Sequence, residues 1–313
     1  MKGMIKIPCV VAAACLLIAG CRSAQGVSVK QFEETAFVPS GELTASSQDS
    51  LLTIKLVVNE TYCTKTACSC ISNLATRNYD KLQELLKSNY NIDLQLYYFS
   101  EEYDMKDSLM AGHYDGAICK PWLAFMHSQD TIGSRFNFKR VADLLDPNDN
   151  QWLTGIFIVK KDSPIQTLEE ISGKILAAGQ EDSYEKYHAP LTILSSKSIK
   201  PKSIINKASC TECINCLLDN EADVAVVSDY ALTASCAVDI VKPEDFRIIG
   251  RTDKIPLCSV IIDLSKIKES DALRLQKALL DLSGDNTPEG LSCRGFVMPA
   301  SWKPAPIISY ETK

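Results

Sequence analysis

The chain has 313 residues, 46% of them hydrophobic, with 33 Lys and Arg against 39 Asp and Glu and a formal net charge of −6. A diffuse acidic balance with no basic stripe argues against nucleic acid as a partner and against an electrostatic patch for membrane lipids. The length supports one large or two medium domains with real cores.

The N-terminus carries Lys2 and Lys6, an apolar run from Ile7 to Ile18, and the small residues Ala19 and Gly20 before Cys21. A positive start, a short apolar stretch and a small-residue cleavage site describe an export signal, and the run is shorter than the roughly 20 apolar residues of a spanning helix. Ile18-Ala19-Gly20-Cys21 resembles the bacterial lipobox, which implies removal of residues 1–20 and lipid on the Cys21 thiol. The alternative is an ordinary secretory signal followed by a chance cysteine. Removal would take two lysines and no acid, leaving 31 basic against 39 acidic residues, a balance of −8. Residues 21–50, polar and without apolar period, are expected to be a flexible tether, so that the membrane is met only through the lipid anchor.

From Leu51 onward, strand-like and helix-like patterns alternate. Short apolar runs predict strands over Leu52–Asn59, Ile92–Phe99, Tyr114–Cys119, Thr154–Val159, Lys174–Ala178, Asp223–Val227 and Cys258–Leu264. Helical periodicity is expected over Ile71–Ser88, Met105–Gly112, Leu168–Ile171, Tyr184–Leu194, Thr211–Asn220 and Ser270–Leu282. Such alternation predicts an α/β fold with mainly parallel sheets flanked by helices. The turn cluster Asp146-Pro147-Asn148-Asp149-Asn150 looks like a boundary. Ligands of open α/β sheets sit at the carboxyl ends of strands, so those loops are the place to look for function.

The sequence has thirteen cysteines. Cys9 and Cys15 leave with the signal and Cys21 is the lipid site, so ten are left for the folded part. Cys63-x4-Cys68-x-Cys70 and Cys210-x2-Cys213-x2-Cys216 can each bring several sulfurs to one place. Soft thiolates favour Zn, Cu(I) or iron–sulfur clusters. An exported protein with an even number of cysteines equally suggests disulfides, Cys213 to Cys216 among them. Both readings stay open at this point, together with a redox-active dithiol.

Three stretches together resemble the phosphonate/phosphite-type solute-binding proteins of ABC importers, within the type II periplasmic binding proteins. They are Tyr79 to Phe125, with Tyr114-Asp115-Gly116-Ala117-Ile118-Cys119-Lys120-Pro121; Thr154 to Pro190, with Gly155-Ile156-Phe157-Ile158-Val159-Lys160-Lys161-Asp162-Ser163; and Ser209 to Leu282, with Glu221-Ala222-Asp223. The resemblance implies two α/β lobes joined by two crossover strands and closing over a ligand. It places lobe 1 at 51–150 plus 250–313, lobe 2 at 151–249, and the crossovers at Thr154–Val159 and Arg247–Leu257. It further implies a monomer that binds without catalysing and delivers a small ligand to an importer permease.

The same resemblance assigns the ligand loops. Where the family presents a hydroxyl-rich anion-binding run, this chain has Ser183-Tyr184-Glu185-Lys186, and Glu185 adds a negative charge that suits a dianionic phosphonate poorly. Cys210 stands where the family has a His, Cys258 where it has an acid, and Cys119 where it often has an aromatic. The loop with Cys63, Cys68 and Cys70 forms a wall of the cleft. These placements suggest a thiolate-lined cleft holding a metal ion, Zn or Cu, or an iron–sulfur cluster, by Cys63, Cys68, Cys70, Cys119, Cys210, Cys213 and Cys258. Tyr62, Ser183, Tyr184, Cys210 and Asp229 are further candidate ligand contacts, with Tyr187 and His188 nearby. Lys120 is expected to face solvent, as are the paired acids Glu101-Glu102. The alternatives are an oxyanion or phosphonate ligand with structural disulfides, and a cluster-bearing electron-transfer or sensor lipoprotein. No Ser/His/Asp order, Gly-rich phosphate loop or His-Glu-x-x-His supports an enzyme.

Overall fold

The computed structural model describes residues 36–40, 50–67, 71, 74–128, 135–181, 183–233 and 241–304. Its first strand, β1 (Leu52–Asn59), buries Ile54, Leu56, Val57 and Val58 on both faces, as a strand covered by helices on each side must. Helix α1 (Asp80–Tyr90) lays Leu82 and Leu86, one turn apart, against that sheet and ends where Asn91 adopts φ 57°. Asparagine tolerates this left-handed cap, and it turns the chain directly into β2 (Ile92–Tyr98). Then follow α2 (Glu102–Met110), β3 (Gly116–Cys119), α3 (Pro121–Ser128) and β4 (Phe138–Leu144).

Short β5 (Trp152–Leu153) leads to β6 (Gly155–Lys160), β7 (Ile175–Ala178) and a π-turn at Tyr184–His188 that runs into α4 (Ala189–Ser196). Next come β8 (Ser203–Asn206), α5 (Cys210–Leu218), β9 (Val224–Ser228) and β10 (Phe246–Arg251). The chain returns through β11 (Ile255–Pro256) to β12 (Ser259–Asp263), α6 (Glu269–Asp281) and β13 (Phe296–Val297).

Two lobes result. The first has a six-stranded sheet in the order β13-β4-β12-β3-β1-β2, the second a five-stranded sheet in the order β10-β6-β9-β7-β8. Each sheet has a parallel half, β2-β1-β3 and β8-β7-β9, made by strand–helix–strand units. The expectation of mainly parallel sheets holds only for those halves. Strands β12 and β6 enter from the connections between the lobes and pair antiparallel with β3 and β9, so both sheets are mixed.

The crossovers also differ from expectation. β6 and β10 pair with each other inside the second sheet, and the link between the sheets is the two-stranded ribbon of β5 and β11, with Leu153 opposite Ile255. Thr154–Val159 is therefore largely a sheet strand, since its apolar residues pack into the second core.

Each sheet has apolar cores on both faces. One core of the first lobe includes residues of α1 and α6; the other includes Met105 and Leu109 of α2 and Trp122 of α3. That second cluster also contains Tyr184 and Ala189, so it continues across to the second lobe. Part of the expected tether is docked as well. Ala36 bridges to Arg140, the Phe37 N–H donates to the Arg140 carbonyl at 2.8 Å, and the Phe37 ring is buried in the first core. A single aromatic residue in a polar stretch carries little periodic signal, yet its burial is worth about 2 kcal/mol or more. Cys21 and the signal lie outside the described residues. Among the described residues, no helix is long and apolar enough to cross a membrane.

Candidate functional site

The loops that follow β1, β2 and β3 in the first lobe and β7, β8 and β9 in the second line one cleft of about 430 Å3. Asn59 ends β1 and Glu60 and Thr61 follow it, Ser100 to Tyr103 follow β2, and Lys120 follows β3. Across from them stand Gln180, Ser183 and Lys186 after β7, Ala208, Ser209 and Cys210 after β8, and Tyr230 after β9. Strands β2, β3 and β8 run directly into α2, α3 and α5, so the N-terminal ends of these helices gather here, with partial positive charge and orphan N–H groups.

The start of α5 is the best defined of them. Ser209 caps it, its Oγ accepting from the Glu212 N–H at 3.1 Å, while the Glu212 carboxylate accepts from the Ala208 N–H at 2.8 Å. The start of α2 carries its own acids, Glu101 and Glu102, which line the cleft rather than facing away from it. That arrangement favours the helix end and makes the first-lobe wall acidic.

A buried carboxylate organises the centre. Glu185 accepts from the Lys120 Nζ at 3.0 Å, from the Ser228 Oγ at 3.0 Å and from the Ser183 Oγ at 3.4 Å. Burial pushes its pKa up, but Lys120 and then Lys186 outweigh that and bring it down to about 2. Lys120 belongs to the first lobe and Glu185 to the second, so this ion pair bridges the cleft. Burial favours the neutral amine of Lys120, yet Glu185 and Glu102 hold its pKa above the ordinary lysine value. Lys186 lines the cleft and makes no side-chain hydrogen bond or ion pair within the described residues. Burial opposes its charge, and Cys210 and Glu185 beside it restore the ammonium. Glu60 differs: burial raises its pKa, Arg77 opposes that with Nε 3.6 Å from the carboxylate, and the Tyr62 N–H donates to it at 3.1 Å.

The cysteines do not assemble as the spacing suggested. Of Cys63, Cys119, Cys210, Cys213 and Cys258, only Cys210 lines the cleft, its Sγ accepting from the Ser228 N–H at 3.4 Å. Cys119 is fully buried with Val57 and Trp122, and Cys63 and Cys258 lie in the opposite core of the first lobe. Cys213 turns inward and its thiol meets the Ala178 carbonyl at 3.5 Å. Burial raises the thiol pKa at Cys63, Cys119 and Cys258 and pushes Cys213 up to about 12.

Thiols kept protonated in apolar cores are poor metal ligands. No group of three or more His, Cys, Asp or Glu that could hold a metal ion occurs among the described residues. The described members of the expected donor set thus do not converge as an iron–sulfur cluster or a thiolate-bound Zn or Cu would need. Cys213 and Cys216 are both free thiols, which corrects the alternative disulfide reading for that pair. Cys68 and Cys70 lie outside the described residues. The spacing misled because residues three apart on α5 point successively at the cleft, the sheet and the Glu221 side chain, which the Cys216 thiol meets at 3.5 Å.

Other expected contacts sit behind the cleft. Tyr184 is buried against Trp122, with ring centroids 4.6 Å apart, and His188 packs on the same indole at 5.1 Å. Tyr62 is buried in the same cluster. Asp229 accepts from the Thr154 N–H at 3.1 Å and the Thr154 Oγ1 at 2.8 Å, pinning the start of β6 beside the interlobe ribbon. Ser183 does line the cleft.

Residues 72–297 match the family described as ABC transporter, phosphonate, periplasmic substrate-binding protein. The chain belongs to that family. Among solved structures, this phosphonate-type binding protein is similar to XAC2383 from Xanthomonas citri bound to chloride ion. The TM-score is 0.60 at 16% identity, covering 79% of this chain and 91% of that one. It is also similar to a binding protein component of an ABC phosphonate transporter from Pseudomonas aeruginosa, with TM-score 0.54 at 12% identity over 81% and 82% of the two chains. No curated protein matches it. As an extracytoplasmic binding component it has an importer permease as its partner.

Lys120, Glu101 and Glu102 are the residues that sequence reasoning left on the surface. The signal for Lys120 was available, since it precedes Pro121 at the start of a helix that directly follows a strand. Ser209-x-x-Glu212 likewise marked the start of α5 as a capping sequence.

Proposed function

We propose that this chain captures a small ligand with an anionic group between its two lobes and passes it to the importer without changing it. The observation that carries this reading is the Lys186 ammonium, which lines the cleft beside the capped start of α5 and makes no hydrogen bond or ion pair among the described residues. A cation and a helix N-terminus together form an anion site. Ser209, Cys210 and Tyr230 complete that wall. Glu101 and Glu102 across the cleft suit a hydrogen-bond donor elsewhere on the ligand.

In this reading 51–150 plus 250–313 and 151–249 move as the two lobes, bending at the β5–β11 ribbon, with the Lys120–Glu185 pair closing the back of the cleft. Residues 1–20 are the signal, and lipid on Cys21 holds the monomer at the membrane. Calorimetric titration of the full chain with simple phosphonate and carboxylate anions tests the ligand class. Saturable single-site binding is expected, and binding confined to neutral or cationic solutes would contradict it.

A further inference from the structure

Glu185 takes up donors that the cleft would otherwise offer to a ligand. Lys120 and Ser183 both line the cleft, and both point a hydrogen at this carboxylate; Ser228 adds a third. The side chain of Glu185 is only 1% exposed, so water does not compete for those bonds. The recess it shares with Glu102, Lys120, Trp122, Ser183, Tyr184 and Ile255 holds about 10 Å3. That is at the limit for one water and far too small for a phosphonate group. The carboxylate therefore pairs with Lys120 from a recess that no ligand group can enter.

The charges then follow. Of the two cleft ammonium groups, Lys120 is neutralised and Lys186 alone is left, facing a wall that carries Glu101 and Glu102. We propose that Glu185 is an internal counter-ion that makes the cleft select a singly charged anionic group over a doubly charged one. The inference rests on the anion reading above and names the charge class of its ligand. The carboxylate stays ionised down to about 2, so the internal negative charge is present at every pH at which the protein works. A second negative charge on the ligand gains no unpaired cation and meets Glu102 and Glu185 at close range.

The probe is methylphosphonate, titrated into the full chain on both sides of its second ionisation. Wild-type affinity is expected to fall about tenfold as the dianion forms, the loss of roughly one charge-assisted hydrogen bond. Glu185→Gln should bind the dianion at least about tenfold more tightly than wild type does, because Lys120 is released. Adding Lys120→Met to that variant should return dianion affinity to the wild-type level.

A wild type that holds the dianion as tightly as the monoanion would overturn the counter-ion role while leaving the anion reading intact. A folded Glu185→Gln chain with no gain also overturns it. If the variants do not fold, the wild-type pH dependence decides alone. No binding of either form by wild type would instead remove the anion reading, and the charge selection with it.

Discussion

Glu185 illustrates how a carboxylate stays ionised without water: three donors and two nearby ammonium groups replace its hydration. Its folded pKa of about 2 lies below the roughly 4.3 of an unfolded glutamate, so the folded state holds the charged form more tightly. The sign follows: the stabilisation is fully present above the unfolded value and is lost as pH falls through the folded one. Thermal melting of wild type and Glu185→Gln should show a gap near neutrality that closes between about pH 4 and about pH 2. A gap that widened with acid would contradict the assignment. Residue chemistry was the least legible part of the sequence. Seven cysteines assigned to the cleft suggested thiolates, but chemistry depends on whether a sulfur faces water, and Cys119, Cys213 and Cys258 face packed cores. Nothing in residue spacing reports that direction when a helix packs on one face and opens on another.

At the scale of elements, legibility followed apolar continuity. β1 spans the predicted residues, and β2, β3, β7, β9 and β12 lie within two residues of expectation, because their buried runs are unbroken. β4 was missed because Lys139 and Arg140 interrupt it; in the fold Arg140 is buried and paired with Asp143 at 2.7 Å. α3 was missed because Pro121–Ser128 is apolar almost all round and shows no amphipathic stripe. The predicted start of α1 at Ile71 is early by nine residues, since Tyr79 and Arg77 are drawn into the core instead. Gly116 gives the sharpest elemental constraint. A Cβ there would lie 1.9 Å from the Ile261 carbonyl oxygen of paired strand β12, which is backbone and cannot step aside. Gly116→Ala should cost at least about 3 kcal/mol in denaturant unfolding, and a stability unchanged within error would show that β3 and β12 are not paired as described.

The whole molecule was the most legible level. Strand–helix alternation and three spaced motifs gave the two-lobed architecture, since that pattern allows few topologies. The link between the sheets lies a few residues from expectation because β6 and β10, which pair inside the second sheet, read in sequence like crossover strands. The docked Phe37 lies sixteen positions after Cys21 in the sequence, a span of at most about 55 Å of chain. Cys21→Ser should move the exported chain from the membrane to the soluble fraction, and retention at the membrane would remove the lipid anchor.

Lys186 is the cleft cation that makes no hydrogen bond or ion pair among the described residues. Calorimetric titration of the full-length chain and of Lys186→Met with a singly charged alkylphosphonate tests its role most directly. Wild type should show one saturable site, and the variant, still folded by circular dichroism, should lose at least about tenfold in affinity, as expected for one charge-assisted contact. Equal affinity in the two proteins would contradict an anion held in this cleft.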